Sequence, residues 1–84
     1  MKLYNIPSAG KFLRKIAACK GEARCVQPDG KVTDLKSMAQ FLIRSGMADQ
    51  LGGIREIDVR LEDQSDAVML MRYAAQMNCQ GRVA

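Results

Sequence analysis

Residues 56–62 read Glu-Ile-Asp-Val-Arg-Leu-Glu. Ile57, Val59 and Leu61 alternate there with Glu56, Asp58, Arg60 and Glu62, so a two-residue period places every apolar side chain on one face of a strand. The opposite face is fully charged. A sheet built on such a strand is covered on one side and wet on the other, the habit of antiparallel sheets. Downstream, residues 63–66 set acids and a serine at the start of a helix, where they complement its positive end. Ala67, Leu70, Met71, Ala74 and Met77 give that helix a buried stripe ending near Asn78, and the tail 80–84 carries no packing pattern and is expected to fray.

Working back from the strand, Gly52-Gly53 frees the backbone of a connection that follows a second helical pattern, Met38, Ala39, Phe41 and Leu42. Ser37 stands before that pattern with Gln40 three residues on, which reads as a capping box, and Gly46 fits the C-cap. Farther back, residues 22–27 and 31–33 flank Pro28-Asp29-Gly30, the turn chemistry of a hairpin. Adjacent Cys25 and Val26 leave open which face of its first arm meets the core. Residues 1–6 read as an opening strand. Ser8 then caps a helix in which Phe12, Leu13, Ile16 and Ala17 recur, running to about Cys19 with Gly21 as its stop. The order strand, helix, strand, strand, helix, strand, helix predicts an α+β open-faced sandwich: a four-stranded antiparallel sheet covered on one face by three helices, with 1–84 as a single domain.

Eighty-four residues leave no room for a second core, and 48% apolar with 26% charged side chains describes a globular chain. There is no His, which removes the commonest metal ligand and the side chain best suited to proton transfer near neutrality. Catalytic and metal sites are therefore not expected, nor is a cofactor. Cys19, Cys25 and Cys79 form no C-x-x-C pair and read as reduced, mostly buried thiols. With no long apolar run and no signal-peptide core, the expectation is a soluble, cytoplasmic protein with no membrane contact.

Three stretches carry a family resemblance: the helix FLRKIAACK from Phe12, the hairpin with DGK at its turn, and the segment VTDLKSM that follows without a gap. The last strand, acidic turn and closing helix, EIDVRLEDQSDAVMLM, extend it over most of the chain. This pattern resembles the phosphocarrier protein HPr of the bacterial sugar phosphotransferase system and its regulatory relative Crh. In that family a phosphorylatable His precedes the first helix, and matching backwards from Phe12 puts Ile6 at its position and Ser8 at that of a nearby Arg. An isoleucine has no nucleophilic atom, so phosphohistidine chemistry is excluded. The resemblance also places Ser37 on the family's regulatory serine, modified by a dedicated kinase. Lys36 stands beside it; an N-cap role without modification fits the same residue equally.

The resemblance further implies docking across the amino ends of the first two helices. Met38 and Phe41 match its apolar positions, with Lys11, Arg14 and Lys15 as a basic rim, although helical spacing by itself predicts Phe41 to be mainly buried. The connection 46–55 is several residues longer than the family's. The implied partner is a protein, a kinase or transcriptional regulator of the phosphotransferase type, bound by a monomer or weak dimer.

Other chemistry has less behind it. The acid pairs Glu56 with Asp58 and Glu62 with Asp63 read as solvated, and Gly52-Gly53 matches no phosphate loop. Residues 1–36 hold eight basic and three acidic side chains, which keeps a small basic nucleic-acid-binding protein as the alternative. Two Phe and two Tyr offer little for base stacking, so nucleic acid is the lesser expectation.

Overall fold

The structure is a computed structural model that describes residues 1–76 and the backbone of 80–82. Its elements are β1 (Lys2–Ile6), α1 (Ala9–Ala17), β2 (Ala23–Val26), β3 (Val32–Asp34), α2 (Leu35–Arg44), a 3-10 turn (Ala48–Gln50), β4 (Ile54–Leu61), α3 (Gln64–Gln76) and β5 (Gln80–Arg82). The sheet is antiparallel, in the order β3-β2-β4-β1-β5. Its first four strands are those expected from the sequence. The fifth is a correction: residues 80–82 do not fray but pair with the outer edge of β1, Tyr4 opposite Gln80 and Lys2 opposite Arg82. An edge strand offers unpaired N–H and C=O groups, and ladder bonds to them need no side-chain pattern.

Val59 is buried on β4, with Ile57 and Leu61 half-buried beside it, as the alternation requires. Leu3, Ile6, Ala23 and Val59 from the sheet meet Phe12, Leu13 and Ile16 of α1, Leu35 and Ala39 of α2, and Leu70, Tyr73 and Ala74 of α3 in one cluster. All three helices thus cover the same face. Leu3 and Ile6 both belong to it although a strand's period of two would separate residues three apart. Asn5 accounts for this: its φ of 55° lies in the left-handed region and resets the alternation, turning Ile6 inward. In β2, Cys25 lies opposite Val59 and packs on the core, while Arg24 lies opposite Arg60 on the open face. That settles the face of the first hairpin arm without a bulge.

Two helices differ from their sequence patterns. α1 stops at Ala17, short of Cys19, because the carboxylate of Asp66 on α3 accepts the Lys20 amide at 3.0 Å and the Gly21 amide at 2.8 Å, turning the chain off the helix axis. Asp66 is 4% exposed, and these two part-buried bonds satisfy both of its side-chain oxygens. On α3, Met71 is exposed and Tyr73 is buried, the reverse of the expected stripe. The Tyr73 ring sits 6.4 Å from that of Phe12, and this contact selects the row Asp66, Leu70, Tyr73 and Ala74. Met77 and the expected end near Asn78 lie outside the described residues.

Candidate functional site

The amino end of α1 decides what the Ile6 position can do. Ile6 is 2% exposed, paired with Ile54 in the sheet and packed in the core. It is a structural side chain with no route to solvent. The Ser8 hydroxyl accepts the Lys11 amide at 3.3 Å, the N-cap role read from sequence. The Ala9 amide donates to the carbonyl of Gly52 at 2.7 Å, so the connection after α2 also closes this end. That connection crosses α1 with Ala48 buried and Asp49 engaging Arg14 through both carboxylate oxygens, at 2.8 and 2.9 Å. Gly10 makes the crossing possible, since a Cβ there would lie 2.7 Å from Asp49 Oδ1 and 3.2 Å from the Ala48 carbonyl. Hydrogen bonding and charge from Arg14 hold the Asp49 carboxyl below its ordinary range. Arg14 is therefore not a free member of the basic rim.

The amino end of α2 is built differently. Asp34, not Ser37, is the N-cap: its carboxylate accepts the Ser37 amide at 3.1 Å and the Ser37 hydroxyl at 3.0 Å. The expected capping box of Ser37 with Gln40 is thus displaced by three residues. Asp caps as well as Ser, and a start at Leu35 buries that leucine completely, so the earlier register adds core area at no loss of cap. The Ser37 amide, followed by its hydroxyl, pulls the Asp34 carboxyl below its usual range. Ser37 lies in the first turn, exposed, on the wall of a cavity of about 480 Å³ that Lys20, Lys36, Gln40 and Glu62 also line.

One turn along, Met38 is 39% and Phe41 66% exposed. The expectation that Phe41 is mainly buried is corrected: α2 buries Leu35 and Ala39, with Leu42 and Ile43 half-buried beside them, and Phe41 falls on the far side.

 

Lys11, Lys15 and Lys36 make no ion pair among the described residues, so the fold leaves these cations unneutralised. Cys19 and Cys25 are free thiols, and burial pushes both upward from the ordinary thiol range, which disfavours the reactive thiolate. Cys79 lies outside the described residues. Among the described residues no group of metal-ligating side chains converges and no helix is long and apolar enough to cross a membrane. Glu56 pairs with Lys2 at 3.6 Å on the exposed sheet face. Comparison of the chain with protein families, with curated proteins and with solved structures finds no match in any of the three.

Proposed function

We propose that this chain is an HPr-like regulatory or protein-binding module that carries no phosphoryl group on its first loop. The observation that supports this reading is the exposure of Phe41 and Met38 beside Ser37 on the first turns of α2. Large apolar side chains in water cost free energy that folding does not recover, and a buried partner contact would recover it. Lys11, Lys15 and Lys36 favour an acidic partner surface around that anchor. A phosphate on Ser37 would replace its hydrogen bond to Asp34 with repulsion between two anions, while Lys20 and Lys36 line the same cavity. Modification would therefore reverse the local potential and loosen the α2 cap together.

The test is incubation with a phosphotransferase-type serine kinase and ATP, followed by mass spectrometry of wild type and Ser37→Ala. One phosphate on wild type and none on the variant is the expected result; no phosphate on wild type removes the regulatory part. Phe41→Ala is expected to weaken binding of a phosphotransferase-type regulator at least tenfold, about 1.4 kcal/mol. Steeply salt-dependent retention of DNA or RNA, unaffected by Phe41→Ala, would instead favour the nucleic-acid reading.

A further inference from the structure

The segment between α2 and β4 does more than join them. It is anchored by the buried Ala48, its Gly52 carbonyl takes the first amide of α1, and its Asp49 grips Arg14 with two hydrogen bonds. Arg14 and Lys15 each lie one turn from Lys11 on the exposed side of α1, so these three would form a continuous cationic row if Arg14 were released. Both partners of the Arg14–Asp49 pair are substantially exposed. A pair of this kind is held weakly enough for an incoming carboxylate to compete.

We propose that residues 46–53 act as an intramolecular strap, in which Asp49 competes with an acidic protein partner for Arg14 and so restrains docking on α1. This rests on the docking reading above and adds its regulation. The partner's carboxylates take the place of Asp49, and the row Lys11, Arg14, Lys15 becomes complete only in the complex. Gly10 sets the closed state: it is the one residue type that lets the Asp49 carboxylate lie against the helix. Adding a methyl group there opens the strap without altering charge, and Ala is a better helix former than Gly.

The experiment is an amide chemical-shift titration of the full chain with poly-L-glutamate at low salt, following Lys11, Arg14 and Lys15. Asp49→Asn and Gly10→Ala are each expected to bind about three- to fivefold more tightly than wild type. Glu56→Gln, which removes the same charge on the sheet, is expected to stay close to wild type. In an Arg14→Gln background Asp49→Asn is expected to bring no gain. Equal affinities for wild type, Asp49→Asn and Gly10→Ala would overturn the strap while leaving the docking face in place. The same gain from Asp49→Asn with and without Arg14 would also overturn it, since charge alone would then explain the effect. Absence of any shift along α1 in all variants would overturn the strap and the docking reading together.

Discussion

The amino ends of α1 and α2 solve the same problem in opposite ways. Each has unpaired first-turn amides, and each is capped by a side chain one residue before the helix, Ser8 for α1 and Asp34 for α2. At α1 the cap is supplemented from a distant part of the chain, by Gly52, and the turn is roofed by Ala48 and Asp49. At α2 the cap acts alone, and the turn remains open with Ser37, Met38 and Phe41 in water. The end beside the buried Ile6 is sealed by chain. The end that carries the Ser37 hydroxyl and the Phe41 ring is left accessible.

The severest way to break this contrast is Ile6→His. The imidazole would enter a fully packed site, and the expected cost is about 3 kcal/mol, read as a lowered urea midpoint. No acid-labile phosphate is expected on this variant after exposure to phosphoenolpyruvate and the usual donor enzyme; its appearance would show that the α1 end is open after all. Gly53→Ala tests the seal itself. Its Cβ would lie 2.9 Å from the Ile6 carbonyl, a backbone atom, and the expected destabilisation is about 1–3 kcal/mol.

A smaller effect should come from Asp34→Ala, which removes both bonds to Ser37. Amide hydrogen exchange is expected to accelerate in the first turn of α2 and not in that of α1, because only α2 depends on a single cap. Acid titration should give the smallest signal. Asp34, Asp49 and Asp63 all have folded-state carboxyls below their ordinary range, Asp63 chiefly through the Ser65 hydroxyl. Their contribution is therefore complete above the unfolded carboxylate pKa, about 3.9, and is lost as pH falls through the lower folded values. Denaturation midpoints should stay level from neutrality down to about pH 5 and then decline, with a shallower decline in Asp34→Asn.

Periodicity made most of the framework legible. The alternation of Ile57, Val59 and Leu61 located the sheet's covered face, and Phe12, Leu13 and Ile16 located the buried side of α1. Ser8 was readable as a cap because the bond it forms is local, three residues long. Ser37 misled for a related reason: two residue types with equal capping strength lay three positions apart, and only the burial of Leu35 separates them. The same ambiguity hid Phe41. Its spacing from Met38 and Leu42 fits a buried stripe as well as an exposed one until the helix register is known.

From the chain alone come the order of the seven elements from β1 to α3, the one-sided sheet and the exclusion of histidine chemistry, because these depend on residue type and on contacts within a few positions. Folding in three dimensions decided the inward turn of Ile6, the exposure of Phe41, the buried grip of Asp66 on the end of α1 and the strap across its start. The last two join segments far apart in sequence, and the first two turn on a single backbone angle at Asn5 and on the register at which α2 starts; neither spacing nor composition carries any of these.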